Sequence, residues 1–567
     1  MEEQSLIQFK TIDGLLLRDM VLAGAALLEK NREIVDALNV FPVPDGDTGT
    51  NMSLTMQSAT REINSKEYLR ADEAANALAK GALKGARGNS GVITSQLFRG
   101  FAKALAGCEK ITPVQFADAL IKGSEMAYKA VMKPKEGTIL TVARVIAEDA
   151  KKQVSKTPDD YDALVNVMLK SGESILKKTT DMLPALKEAG VVDSGGRGLL
   201  YIYQGYAAVL RGEDINTIQE DNDEDEPEPE DDCHDLTREL TYAYCLEFSM
   251  DHFGTDCDEH DIDSLKRRLN RIGDNVRVNG DLKGVNVHVH TNNPGNAIEF
   301  ALELAEVNDV KLDNMAARKR ALEGEKLPEP QESATEQPAE ENTVPEEELK
   351  KYGMVAVSLG DGFSQIFSDL AVDHIVEGGQ TMNPSVNDIL EAIKTVSAEN
   401  IFVFPNNGNV IFAANQAAEL AERNVIVIPT KNVAMGIAAV IAFQEESDPE
   451  ENRERMTEAS EHVKTGTVTY AVRDSECNGI KINEGDYIGL HNGKIEYSGK
   501  ELHDVVIQMM KEIITEDDEL ITIYYGADVD EETAGKLQEE MQEIYPECDV
   551  ECMAGGQPLY YYLIAVE

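Results

Sequence analysis

Positive charge is scarce in this chain of 567 residues: 53 Lys and Arg stand against 104 Asp and Glu, a formal net charge of −51. Binding to nucleic-acid phosphates or to an anionic membrane surface needs a basic face, so neither partner is expected. Most of the acidity serves solubility. Cysteine is sparse too, with seven scattered residues and no Cys-x-x-Cys. That excludes a disulfide framework and fits a reducing compartment. The opening Met-Glu-Glu-Gln lacks the basic region of a signal peptide, and the longest clean apolar run, Gly436 to Phe443, is far too short to span a bilayer. A soluble, cytoplasmic protein without an integral membrane segment is expected. Familiar catalytic signatures are also missing. There is no Gly-x-x-x-x-Gly-Lys-[Ser/Thr], no kinase-type Gly-x-Gly-x-x-Gly after a strand, no His-Glu-x-x-His and no Gly-x-Ser-x-Gly. The first histidine is His234, so no histidine base serves the first 215 residues.

The length is too great for one core, and two segments unable to form a core divide it. From Glu220 to Asp232, ten of thirteen residues are acidic and two are proline; from Glu323 to Glu348 there are ten acids, four prolines and one lysine. Self-repulsion and missing apolar residues keep such stretches extended. They act as linkers over 216–235 and 323–349, leaving segments 1–215, 236–322 and 350–567.

The first segment reads as all-α. Leu16, Met20, Ala23 and Leu27 recur at helical spacing, and Asp72–Gly81, Ile93–Leu105, Tyr161–Lys178 and Leu199–Leu210 continue the pattern. In the middle segment Val287 and Val289 alternate with His288 and His290, as in a strand, and Ala297–Ala305 is amphipathic, so a small α/β domain is expected. In the last segment Met354–Ser358, Ile401–Phe404, Val425–Ile428 and Leu520–Tyr524 read as buried strands of a mainly parallel sheet, and Lys464–Ser498 as a lobe of antiparallel strands.

The chemistry concentrates in four stretches of the helical segment. Pro42-Val-Pro-Asp45-Gly-Asp47-Thr-Gly-Thr-Asn51 carries two carboxylates one residue apart in a shaped loop. Mg²⁺ is usually held by one or two carboxylates together with substrate phosphates. Lys84-Gly-Ala-Arg-Gly88-Asn89-Ser90-Gly opens into a helix expected to start near Val92, and a helix N-terminus is a ready anion site. Pro134-Lys-Glu-Gly-Thr138 and Val191-Val-Asp193-Ser-Gly-Gly-Arg197-Gly are the third and fourth. Singly, each reads equally well as an interhelical turn; together they suit a nucleotide–Mg²⁺ site at one end of a bundle.

Pro-Asp45-Gly-Asp47-Thr-Gly-Thr-Asn51-Met, Gly85-Ala-Arg-Gly-Asn-Ser90-Gly and Asp193-Ser-Gly-Gly-Arg197-Gly resemble the nucleotide-binding (L) domain of the dihydroxyacetone kinase family. The three-part layout resembles the ATP-binding catalytic subunits of bacterial fatty acid kinases across the whole chain. That resemblance implies an eight-helix barrel holding ATP and two Mg²⁺ in loops at one end. It makes Asp45 and Asp47 the Mg²⁺ ligands and Thr48, Gly49, Thr50, Asn51, Gly88, Asn89 and Ser90 nucleotide-facing positions. Thr138 and Asp193 become further pocket residues, and Asp45, Asp47, Thr50 and Arg197 the catalytic set. Dihydroxyacetone kinases place a third aspartate shortly before the pair. Here Asn39-Val40 stands in that region with altered spacing: either Asn39 supplies an amide oxygen as a third Mg²⁺ ligand or the third ligand is lost. The acceptor implied is a fatty acid carboxylate presented by a separate acyl-binding protein, and the product an acyl phosphate. An acyl carboxylate is ionised near neutral pH and needs no general base.

In the middle segment Cys245, His288 and His290 form a candidate Zn²⁺ set, on probable strands and with an open fourth position; a buried cysteine beside hydrogen-bonded histidines is the alternative. A homodimer is expected. The last segment, through Asp361-Gly-Phe, Gly378-Gly-Gln-Thr-Met-Asn383-Pro-Ser385, Pro405-Asn-Asn-Gly408-Asn and Gly555-Gly-Gln-Pro, resembles the lipid-binding fold of the acyl-carrying partners and suits a docking role for that partner. Two rival functions stay open: a dihydroxyacetone-type kinase component that phosphorylates a small ketose, and a regulatory scaffold that binds nucleotide without turnover.

Overall fold

The computed structural model describes residues 9–39, 46–131, 133–213, 244–251, 262, 265–266, 268–269, 273–281, 284–292, 294–302, 304–314, 349–378, 383–471, 475–477, 480–492 and 494–567. Asp45 and the side chain of Cys245 lie outside the described residues. Met1–Glu220 and Glu346–Glu567 form one compact unit, and Asp221–Pro345 a second.

Within the first unit the N-terminal part is helical: α1 (Gly14–Lys30), α2 (Arg32–Ala37), α3 (Thr48–Ile63), α4 (Ala71–Lys84), α5 (Gly88–Ala104), α6 (Pro113–Ala130), α7 (Ile139–Val154), α8 (Tyr161–Met182), α9 (Pro184–Ala189) and α10 (Ser194–Arg211). Side chains that satisfy free first-turn N–H groups set several of the starts. Asp13 accepts from Leu16 N, Asp160 from Ala163 N, and Thr112 closes a capping box with Gln115 ahead of Pro113. Leu17, Met20, Leu27, Leu28, Met52, Met56, Leu200 and Ile202 are buried at helical spacing and join one core. Burial of each such side chain contributes roughly 1.5–3 kcal/mol. Helices α1 and α10 touch backbone to backbone, because a Cβ on Gly205 would lie 2.5 Å from Gly24 Cα.

The C-terminal part holds two sheets. Strands β5 (Lys350–Ser358), β6 (His374–Glu377), β7 (Ala398–Phe404) and β8 (Asn424–Val427) are all parallel in the order β6-β5-β7-β8. Strands β9 (Lys464–Tyr470), β12 (Tyr487–His491), β13 (Lys494–Gly499), β14 (Leu520–Tyr525), β15 (Asp549–Ala554) and β16 (Tyr562–Val566) make a second sheet in the order β13-β12-β9-β16-β14-β15. A separate antiparallel pair, β10 (Ser475–Cys477) and β11 (Ile480–Ile482), completes this part. The 520–524 run therefore belongs to the mixed sheet, parallel to β15 and antiparallel to β16, and not to the parallel one. A buried apolar run reads the same in either sheet.

The second unit contains the antiparallel sheet β2-β3-β1-β4, built from β1 (Tyr244–Asp251), β2 (Gly273–Asp281), β3 (Gly284–Thr291) and β4 (Glu306–Asn314), with a helix over Pro294–Leu302. Val285, Val287 and Val289 line its core with Ala297 and Ala301, as the alternation predicts. Among the described residues no helix is long and apolar enough to cross a membrane.

A methyl group at Gly205 forces α1 and α10 apart. Gly205→Ala should lower stability by about 1–3 kcal/mol, the usual cost of overpacking, seen as a lower denaturant midpoint of the full chain. An unchanged midpoint would contradict the close helix contact.

Candidate active site

Asp36, on α2, satisfies the N-terminus of α3. Thr50 N donates to Asp36 Oδ1 at 3.0 Å and Thr50 Oγ1 to Asp36 Oδ2 at 2.8 Å. Gly49 N–H adds a further bond, and the Arg32 charge also favours the ionised form. Burial outweighs all of these and leaves the Asp36 carboxyl above its usual range. Asp47 precedes α3 but its side chain does not cap that helix. The carboxylate is instead held by amides from two directions, Asn51 on α3 and Asn383 in the C-terminal part, with Asn383 Nδ2 donating to Asp47 Oδ2 at 2.6 Å. Asp47 is 8% exposed. Desolvation pushes its pKa up to about 6 against the two amides, and the nearby Asp36 charge pushes the same way.

Helix α5 begins beside this carboxylate. Gly88 has φ +55°, and a Cβ there would lie 2.6 Å from Asn51 Nδ2. Only glycine meets both demands without strain. Residues 48–51, 88–91 and 194–198 thus form the first turns of α3, α5 and α10, not loops ahead of them. The α5 helix starts four residues earlier than expected. The glycines sit where helices crowd, and the first-turn N–H groups that suit an anion come from Gly88, Asn89 and Ser90 themselves.

The third and fourth stretches also meet. Asp193 caps α10 through Gly196 N at 2.7 Å and accepts from Ile139 N at the start of α7, directly after Thr138. Burial pushes the Asp193 carboxyl up to about 6. Thr138 caps the preceding turn by donating to the Lys135 carbonyl at 2.9 Å. A Cβ on Gly198 would lie 2.8 Å from Met52 Sδ, so the first turns of α10 and α3 adjoin. Arg197 pairs with Glu173 at 3.1 Å and stacks over Tyr201. Asn39 follows α2, its backbone N–H bonded to the Asp36 carbonyl at 3.0 Å. Among the described residues, the acid whose charge acts on Asp47 is Asp36. Nothing in the sequence sets it apart from Glu33 on the same short helix ahead of the loop.

The C-terminal part lies directly on this end of the bundle. Val386 N donates to the Ala86 carbonyl at 3.1 Å, and Arg87 donates to the Asn383 carbonyl at 2.7 Å and pairs with Asp388 at 3.3 Å. Asn89 Nδ2 donates to Asn409 Oδ1 at 2.9 Å, and Gln96 Nε2 to Gln416 Oε1 at 2.6 Å. Ala86 and Val92 share a core with Val386, Ile389, Ala413 and Ala417. Asn409 also borders a cavity of ≈ 540 Å³ in the C-terminal part, lined by Ser358, Asn406, Lys431 and Gln557 among others.

In the second unit, β1 and β3 set Cys245 opposite His290, and the rings of His288 and His290 meet edge to face at 5.1 Å. Among the described residues, no three His, Cys, Asp or Glu side chains are grouped to hold a metal. The expected Zn²⁺ site gains no support there.

Asp36→Ala removes the cap of α3 and should cost about 1–2 kcal/mol of stability, measured by chemical denaturation. A variant as stable as the parent would show that Asp36 does not anchor the helix.

Family profiles match three stretches of the chain: the DAK2 domain at residues 42–208, the middle domain of FakA-like fatty acid kinase proteins at 241–322, and their C-terminal domain at 353–567. Protein YloV of Bacillus subtilis is 40% identical over 566 residues, covering 99% of this chain and 100% of its own length. A protein of Staphylococcus saprophyticus is 40% identical over 559 residues, covering 98% and 99%. Among solved structures, the fatty acid kinase B3 protein of Streptococcus pneumoniae loaded with linoleic acid matches 38% of this chain and 99% of its own, with 14% identity and a TM-score of 0.28, too distant a likeness to argue from. The chain belongs to the FakA-like family of fatty acid kinase proteins, with an N-terminal DAK2 domain.

Proposed function

We propose that the chain is the ATP- and Mg²⁺-dependent subunit of a fatty acid kinase. It phosphorylates the carboxylate of a fatty acid that a separate acyl-binding protein presents. The observation that carries this reading is the desolvated Asp47 carboxylate set between the first turns of α3 and α5. An oxygen-only, anionic donor beside two helix N-termini matches what a hard cation and a phosphate chain require.

In this reading Asp47, with Asp45, holds the cation. Magnesium supplies neutralisation of the β- and γ-phosphate oxygens. The N–H groups of Gly88, Asn89 and Ser90 face the phosphates, and Thr48, Gly49 and Asn51 complete the cradle. Thr50 acts through Asp36, which keeps the turn carrying Asp47 in place. Thr138 and Asp193 shape the neighbouring wall. Arg197, paired with Glu173 through one nitrogen, serves the transferred phosphoryl group. In the transfer, a carboxylate oxygen of the acyl substrate bonds to the γ-phosphorus while the bond from that phosphorus to the β,γ-bridging oxygen breaks. The acyl phosphate and ADP result. No proton is removed from the acceptor, which suits a segment whose residues 1–215 contain no histidine. The C-terminal part is the proposed dock for the acyl-binding protein.

The test is γ-labelled ATP with fatty acid, with and without a fatty-acid-loaded acyl-binding protein. Label should enter a hydroxylamine-sensitive acyl phosphate only when the partner is present, and Asp47→Ala should reduce transfer at least about 100-fold. Label entering dihydroxyacetone in a parallel reaction that offers it as acceptor, with none in acyl phosphate, or undiminished transfer by the variant, would overturn the reading.

A further inference from the structure

One of the two amide contacts on Asp47 comes from the far end of the chain. Asn383 is 1% exposed and lies 336 residues away in sequence, yet its Nδ2 donates to Asp47 Oδ2 at 2.6 Å. Its position is strongly determined. Pro384 restricts the backbone of Asn383, and Ser385 caps the following helix, Val386–Thr395, in a capping box with Asp388. Arg87 holds the Asn383 carbonyl and the Asp388 carboxylate together, and Val386 N reaches the Ala86 carbonyl. Residues 383–388 are thereby bonded along residues 86–87, immediately before the first turn of α5. The amide has a second feature. Asn383 Oδ1 is buried with no hydrogen-bond partner among the described residues. A buried acceptor left unpaired is costly, so it marks a place where a donor belongs.

We propose that Asn383 is a positioning residue of the kinase site, supplied by the C-terminal part to the helical part. Its N–H fixes one oxygen of Asp47 and so sets the orientation of that carboxylate. Its Oδ1, unpaired among the described residues, would accept from a donor arriving with the cation, such as a Mg²⁺-bound water, since Mg²⁺ usually keeps several of its waters. The helical part alone then has an incomplete cation site. This inference rests on the function proposed above.

Two other roles would give different binding results. A latch would have Asn383 block the cation, and its removal would tighten binding. A plain structural join would affect binding only by loosening the contact between the two parts.

The experiment uses the full chain as wild type, Asn383→Ala and Asn383→Leu, the last keeping side-chain bulk without the N–H. Gln416→Ala, which cuts a contact between the same two parts away from Asp47, is the control. Calorimetry measures ATP binding with Mg²⁺ and with EDTA, and hydrogen exchange of the peptide containing Val386 reports whether the parts stay joined. Both Asn383 variants should bind ATP with Mg²⁺ about 10–100-fold more weakly, the usual effect of losing a group that orients a metal ligand. Binding in EDTA and protection at Val386 should be unchanged, and Gln416→Ala should bind like wild type. Wild-type or tighter Mg²⁺-dependent binding by both Asn383 variants overturns the proposal. So does loss of Val386 protection with equal weakening in EDTA, or equal weakening by Gln416→Ala. A wild-type chain that fails to bind ATP with Mg²⁺ overturns the proposed function itself.

Discussion

One carboxylate held away from water organises the site. Removing Asp47 from solvent disfavours its charge, and the neighbouring Asp36 disfavours it further. Two amides, from Asn51 and Asn383, act in the opposite sense. A buried anion this incompletely compensated is costly to the free protein. In the proposed function a cation would complete the arrangement.

The rest of the unit supports that carboxylate. Asp36 takes over the capping of α3, which leaves the Asp47 side chain to the amides of Asn51 and Asn383. Gly88 lets α5 start against Asn51 with no side chain between them. Asp193 ties the starts of α7 and α10 together, and Gly198 brings α10 against Met52 of α3. Four helix N-termini are thereby gathered at one end of the helical core, where their partial positive charges favour a polyanion. The C-terminal part is joined to the same end by backbone, ion-pair and apolar contacts.

Much of this is legible in the sequence, for definable reasons. Helical periodicity locates α1, α4, α5, α8 and α10, because an apolar stripe at 3.6-residue spacing survives any detail of packing. The Asp-Gly-Asp motif points to Asp47, and the structure sets Asn51 and Gly88, both singled out in the sequence, beside it. Glycine misleads at the boundaries: in turns it usually signals a loop, whereas residues 88–91 and 194–198 are helical and use it for close approach. Nothing local marks Asp36 or Asn383 as part of this end of the bundle. Asp36 acts across 14 residues and Asn383 across 336, and no local pattern encodes which distant amide will face a given acid. The sheet membership of β14 is hidden for a similar reason, since partners in both neighbouring strands lie beyond it in sequence.

The central claim is that Asp47 grips the cation that accompanies the nucleotide. Mn²⁺, whose electron paramagnetic resonance signal reports its bound state, can replace Mg²⁺ in a titration of the full chain with ATP. Wild type should sequester Mn²⁺ in the presence of ATP, and Asp47→Asn, which keeps the shape but removes the charge, should leave it largely free beyond what ATP alone binds. Equal sequestration by the two proteins would contradict the account.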